Sequence, residues 1–254
     1  MLTYQTADKT RSPQENITGS YHRWFEIIPA NTPALREKAY RLRYQVYCCE
    51  NRYENPEEHP LRMERDAFDR RSIHSLLIHR ATGIVIGTVR LILPDPESHE
   101  ASLPIQQVCK HPLLETLPLS SAAEISRFAI SKETRKIADE DSPKDVKCPI
   151  VIGLMKAVVQ MSLSYSITNC LAVMEPSLLK LLSRFDIYFT PVGPLVEYHG
   201  LRQPCHAHVD SFLERIHSEN SELWQFLTEP DVSWDAEKAC RANGGADWRG
   251  QCNL

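Results

Sequence analysis

Apolar side chains at positions 35, 39, 42 and 46 recur at three- and four-residue spacing, which predicts a helix over residues 33–50. Arg36, Lys38, Arg41 and Arg43 occupy its other faces. WFEII at 24–28 reads as a strand before it, and the polar stretch 51–62, with Pro56 and Pro60, as a loop after it. SLLIHR (75–80) and IVIGTVRLIL (84–93) flank Ala81-Thr82-Gly83, an antiparallel hairpin signal. The proline-rich stretch 95–118 predicts a long loop with room for a short helical turn, EISRFAI (124–130) a strand, and 132–147 a charged excursion with only partial order. A long apolar helix is expected over 149–167, a short strand at CLAVM (170–174), and a helix over 176–185 that opens on Pro176, where proline is tolerated. Strand pieces at 187–190 and 195–198, broken by Pro191 and Pro194, precede a last strand over 205–213 and a short helix over 221–227. Residues 1–20 read as a loose arm and 229–254 as an irregular tail, leaving one domain over 21–228. This order fits an α+β or α/β domain with a mixed, largely antiparallel central sheet flanked by helices.

At 254 residues the chain is long enough for one sizeable core. Its net charge of -4 argues against nucleic acid as the main partner, while local basic patches suit an acidic one. The cysteines at 48, 49, 109, 148, 170, 205, 240 and 252 form no CxxC pair or other metal-ligand spacing, and read as reduced packing residues. The polar N-terminus is no signal peptide. The apolar stretch 150–167 contains Lys156 and Gln160, which would fall near a bilayer centre, so it reads as a buried helix and the protein as cytoplasmic.

Four short motifs set ionised side chains against strongly apolar ones: RYQVY (43–47), ERDAFD (64–69), GTVR (87–90) and EISRF (124–128). Buried charge is costly unless paired, so four such motifs point to a polar pocket cut into an apolar core. On a regular strand Glu124, Ser126 and Phe128 face one way and Ile125, Arg127 and Ala129 the other. A carboxyl on an apolar strand tends to a raised pKa, which suits a general base; a Glu/Arg ion pair fixing the sheet is the alternative. Glu64, Asp66 and Asp69 lack calcium-loop spacing, and suit an ammonium group or a solvated acidic loop. Arg43 and Tyr47 lie four residues apart, on one helix face. Arg90 needs a partner, with Asp66, Asp69 and Glu124 as candidates. Tyr198-His199-Gly200 reads as a turn carrying a titratable group, with a plain structural loop as the simpler reading.

In this order the four motifs resemble those of the acyl-homoserine-lactone synthases and the related N-acyl amino acid synthases, which are acyltransferases of the GNAT superfamily. The resemblance implies a GNAT-like fold and transfer of a fatty acyl group from acyl carrier protein, or acyl-CoA, to the amine of an amino acid or similar small molecule. It implies that Glu124 helps deprotonate the amine, directly or through water, and that Arg127 anchors neighbouring acids. Arg43, Glu64, Asp66, Asp69 and Arg90 would then form a charged rim for the amine, with Tyr47 and Ser126 also binding substrate; Phe128, Leu154, Val158 and Met174 read as walls for the acyl chain or equally as plain core. Tyr47 stands where phenylalanine is usual. Tyr53 is the nearby aromatic where the lactone synthases commonly have tryptophan, which weakens a site for S-adenosylmethionine. VMEPSLLKLLSRF (173–185) and GPLVEYHGLRQP (193–204) resemble acyltransferases associated with PEP-CTERM/exosortase systems. No Q/R-x-x-G-x-G/A run precedes residue 149 to wrap a pyrophosphate, which favours acyl carrier protein over coenzyme A as donor. No tightly bound cofactor and no metal is implied.

Overall fold

The computed structural model describes residues 17–95, 102–141, 149–229 and 231. Its elements are α1 (Ile17–Trp24), β1 (Phe25–Pro29), α2 (Pro33–Tyr44), β2 (Ser72–His79), β3 (Val85–Ile92), α3 (Pro104–Val108), α4 (Pro112–Thr116), β4 (Ala122–Ile130), α5 (Lys132–Asp141), α6 (Pro149–Ser164), β5 (Asn169–Met174), α7 (Pro176–Leu182), β6 (Thr190–Pro191), β7 (Val196–Glu197), β8 (Leu201–His208), α8 (Val209–Glu219) and α9 (Ser221–Thr228). The strands form one eight-stranded mixed sheet in the order β1-β2-β3-β4-β5-β8-β6, with β7 paired to β8. All pairs are antiparallel except β4–β5, which is parallel and joined through α5 and α6.

The main core lies between the sheet and α6, where Leu154, Met155 and Val158 pack with Val89, Leu91, Ala123 and Ile125. Gly153 lets α1 close on this layer: a β-carbon there would sit 2.8 Å from the Tyr21 ring. Across the sheet, Ile92, Leu103, Ile105, Leu114 and Leu171 form a second cluster.

Lys156 and Gln160 are fully buried because they cap another helix. Lys156 Nζ donates to the carbonyls of Phe226 (2.8 Å) and Glu229 (2.7 Å), lies 3.6 Å from Asp231, and sits over the Phe226 ring. Gln160 Nε2 donates to Leu227 O at 2.9 Å. The last carbonyls of α9, which a helix cannot satisfy internally, find donors on α6. No helix among the described residues is long and apolar enough to cross a membrane.

Several expectations shift. Helix α1 takes up residues 17–20 of the expected arm. The helix expected over 33–50 ends as a regular α-helix at Tyr44 and continues as a wider π turn, Gln45–Glu50. The loop expected over 95–118, with room for one short helical turn, holds two, α3 and α4, and α5 opens the charged excursion, of which 142–148 lie outside the described residues. The strand expected over 205–213 is instead β8 to His208 followed by α8, because Val209, Phe212, Leu213 and Ile216 bury one helical face. The thiols of Cys48, Cys49, Cys109, Cys170 and Cys205 are free, and Cys148, Cys240 and Cys252 lie outside the described residues.

Lys156→Met would leave the α9 carbonyls and Asp231 buried without their cation. The expected loss is about 3 kcal/mol in urea unfolding at unchanged m-value.

Candidate active site

Three guanidinium groups and three carboxylates meet beneath the centre of the sheet. Arg43, at the end of α2, donates from Nε to Glu64 at 2.5 Å and from Nη1 to Asp69 at 2.6 Å. Arg90, on β3, grips Asp66 through both terminal nitrogens (2.7 and 2.6 Å) and reaches Asp69 at 2.6 Å. Arg127, on β4, donates to Glu64 at 2.9 Å and lies 3.2 Å from Asp66. The acids are presented by a tight turn, Ala67–Arg71, in which Asp66 accepts from Phe68 N while Asp69 accepts from Asp66 N. Burial works against ionisation of Glu64, but Arg43 and Arg127 outweigh it and hold its carboxyl at about 2. Asp69 is likewise buried and Asp66 half-buried, and they are held below the usual carboxylate range by Arg43 and Arg90 respectively.

This lattice is a foundation, not a rim. Arg43, Glu64 and Arg90 are at most 1 % exposed, and every charge in the lattice has an opposite partner within it. The expected substrate rim of Arg43, Glu64, Asp66, Asp69 and Arg90 is therefore corrected: paired with one another, these groups underlie the cleft and do not line it.

The cleft opens where the parallel pair parts. The β4–β5 ladder runs only from Ala122–Asn169 to Ile125–Ala172, although β4 continues to Ile130 and β5 to Met174. Beyond Ile125 the strands diverge around a cavity of about 450 Å³. Glu124, Ser126, Arg127, Phe128 and Tyr47 line it on one side. Met174, Glu175, Leu178 and Leu181 line it on another, and Tyr53, Tyr198, His199 and Arg202 close over it. Leu154 and Val158, expected as acyl walls, do not line it; they are 0 % and 1 % exposed core residues of α6.

The β4 alternation fails at one residue. Arg127 has φ +47°, and the β3–β4 register slips there, with Thr88 opposite Ala129 but Arg90 opposite Ser126. This bulge turns Arg127, expected on the opposite face, into the lattice that Arg90 enters beside Ser126. Its guanidinium lies 4.9 Å over the Tyr47 ring.

Glu124 sits at the root of the cleft, 2 % exposed, and accepts from Ile105 N at 2.8 Å. Burial pushes its carboxyl up to about 8, with Arg90, Arg71 and Arg127 pulling weakly the other way. Such a group takes and returns a proton near neutrality. Burial, then the nearby Glu124, also raises Tyr198.

Residues 42–140 match the family model of the GNAT acetyltransferase domain. The chain is similar to TofI, solved in a ternary complex with an inhibitor and MTA (TM-score 0.56, 20% identity, 78% of this chain and 96% of that one). It is also similar to BjaI, a CoA-dependent acyl-homoserine lactone synthase solved with MTA (0.54, 16%, 85% and 99%). A third match is FeeM, an N-acyl amino acid synthase from uncultured soil microbes (0.50, 15%, 75% and 94%). No curated protein sequence matches significantly. The chain has the GNAT fold. In GNAT terms, the cleft lies where the parallel strands splay. Residues from 173–185 contribute to its second wall and residues from 193–204 to the hairpin that covers it.

Sequence reasoning missed Glu54, Glu175 and Arg202. Glu54 accepts from Arg127 at 3.3 Å, and Arg202 pairs with Glu175 while stacking on Tyr53. Nothing distinguishes Glu54 from the other acids of its loop, whereas Arg202 sits inside the quoted 193–204 motif.

Arg43→Ala would strand Glu64 and Asp69 without a main partner, at an expected cost of about 3–5 kcal/mol in urea unfolding. Glu64 has a lowered folded pKa, so its stabilisation is present above about 4.5 and is lost as pH falls through about 2, and the lowered Asp66 and Asp69 act in the same direction. Acid-unfolding titrations should show this steep limb in the unaltered protein and a shallower one in the variant.

Proposed function

We propose that this protein is an N-acyltransferase that moves a fatty acyl group from acyl carrier protein or acyl-CoA to the amine of an amino acid or similar small molecule. The observation that carries this is the buried Glu124 carboxyl at the root of a cleft between diverging strands. The nitrogen attacks the thioester carbonyl and gives a proton to Glu124 as the carbon–sulfur bond breaks. β4 amides past Ile125, on the edge that has left the ladder, supply donors for the oxyanion. Phe128, Met174, Leu178 and Leu181 offer apolar surface to the acyl chain. Glu124 and Arg127 are the residues on which the chemistry depends, and Tyr47 and Ser126 shape the acceptor side. The resemblance of 173–185 and 193–204 is the support for a place beside exosortase systems.

The test is mass spectrometry of lipid extracts from cells expressing the protein or Glu124→Gln. New N-acyl amino acids only with the unaltered protein are expected. Acyl lactones in their place would move the reaction to lactone synthesis, the activity named for BjaI. No acylated amine would overturn the reading.

Glu124→Gln should lower turnover by about 10²- to 10⁴-fold, the range for general-base catalysis. The kcat/KM of the unaltered enzyme should rise through pH about 8. In the variant that limb disappears, leaving only the titration of the acceptor amine. A carboxyl raised on folding keeps its full contribution to stability below about 4.5 and loses it as pH rises through about 8. Glu124→Gln should therefore be at least as stable as the unaltered protein at the upper end of that window, by thermal unfolding. A variant that loses both turnover and stability there would count against the catalytic role.

A further inference from the structure

Acyl transfer to an ammonium has two protons to place. The acceptor R–NH3+ must lose one before its lone pair exists. The nitrogen loses a second as the tetrahedral intermediate collapses, and the departing thiolate gains one. The balance is R–NH3+ plus R′CO–SX giving R′CO–NHR, HS–X and one H+ released to water. Glu124 suits the internal transfer, from nitrogen to departing sulfur, because it is buried and has no exposed face from which to shed a proton. The proton that leaves for water needs a second group, inside the cleft but open to solvent.

The turn between β7 and β8 supplies one. His199 lines the same cleft as Glu124 with its side chain 26 % exposed. It has φ +53°, a left-handed conformation that is uncommon for a residue with a β-carbon, and Gly200 follows at φ +92°. Backbone of this kind persists only where surrounding contacts hold it. Here Arg202 Nη2 donates to His199 O at 2.8 Å, and the ring packs beside Tyr198 and Tyr53. His199 Nε2 lies 3.6 Å from Glu54 Oε1, the oxygen that Arg127 contacts from the other side at 3.3 Å. The groups facing the imidazole are thus Glu54 and Tyr53 from the loop after α2, and Tyr198 and Arg202 from its own hairpin, with Arg127 behind Glu54. A carboxylate beside one ring nitrogen orients an imidazole and leaves the other nitrogen to act.

Resting on the acyltransfer reading, we propose that His199 takes the first proton from the acceptor ammonium and passes it to solvent, with Glu54 as its positioning residue. Glu124 is thereby reserved for the nitrogen-to-sulfur transfer. The division explains why a cleft with a buried carboxyl also carries a half-open histidine held against an acid.

The experiment uses decanoyl-acyl carrier protein and, in a separate reaction, decanoyl-CoA as donor, with an equimolar mixture of free amino acids as acceptors and N-acyl products counted by mass spectrometry. Rates of His199→Gln, Glu54→Gln and Glu124→Gln are each divided by that of the unaltered protein. The ratios are taken at about pH 6.5, where α-amino groups are nearly all ammonium, and about pH 9.5, where they are largely neutral. The expected deficit of His199→Gln is about 10²-fold at the lower pH, within the range for a lost proton-transfer group, and shrinks at least tenfold at the higher. Glu54→Gln follows the same direction with a smaller deficit, while the Glu124→Gln deficit does not shrink. Equal His199→Gln deficits at both pH values would make the turn merely structural and overturn the proposal, as would no deficit at the lower pH. If the unaltered protein forms no N-acyl product, the acyltransfer reading itself falls and takes this role with it.

Discussion

The lattice of Arg43, Arg90 and Arg127 with Glu64, Asp66 and Asp69 is the constraint on which the rest of the site depends. It ties the end of α2, the Ala67–Arg71 turn, β3 and β4 into one body beneath the cleft. Taking such charges out of water costs several kcal/mol per ion, and mutual pairing offsets that cost only when geometry and hydrogen bonding are nearly complete. Few chain arrangements meet that condition, so the lattice specifies where β4 lies more sharply than apolar packing would. It is also electrically balanced, three positive groups against three negative. The cleft-lining ionisable groups outside the lattice include Glu124, His199 and the Arg202–Glu175 pair.

Above this balanced floor the cleft divides by chemistry. Phe128, Met174, Leu178 and Leu181 give one part an apolar lining, while Tyr47, Tyr53, Tyr198 and His199 give another polar tips and aromatic faces. Glu124 lies at the root, where β4 and β5 are still paired. A thioester with an apolar chain and a small charged acceptor make opposite demands on their surroundings, and one cavity meets both only if its walls differ in this way.

Much of the fold was legible before the coordinates. The 75–93 hairpin shows β-rich runs around a short turn, and the cation and acid content of the four motifs announced their pairing. What was hidden has physical reasons. Helix α1 (ITGSYHRW) contains Gly19, Thr18 and Ser20, poor helix formers, and docks through Tyr21 against Gly153, a contact distant in sequence. The passage from β8 to α8 was misread because an alternating run ends where a helical one begins, so both periods fit its middle. The bulge at Arg127 leaves no trace in ISRF. The motif resemblance located the charged residues, but spacing could not tell a rim from a foundation, since the difference lies in which groups satisfy one another.

The left-handed residue at the bulge has a further consequence. A strand held only by its ladder can slide by two residues and still present the same face to the core. β4 has no such freedom: sliding it would carry Arg127 out of the one position whose backbone bend aims its guanidinium at Glu64, and would place the bend where Ile125 or Ala129 now sits. The bulge thus works as a detent. It fixes the depth at which Glu124 sits below the mouth of the cleft, so the reach required of any acyl donor is set by the indexing of one strand against its neighbour.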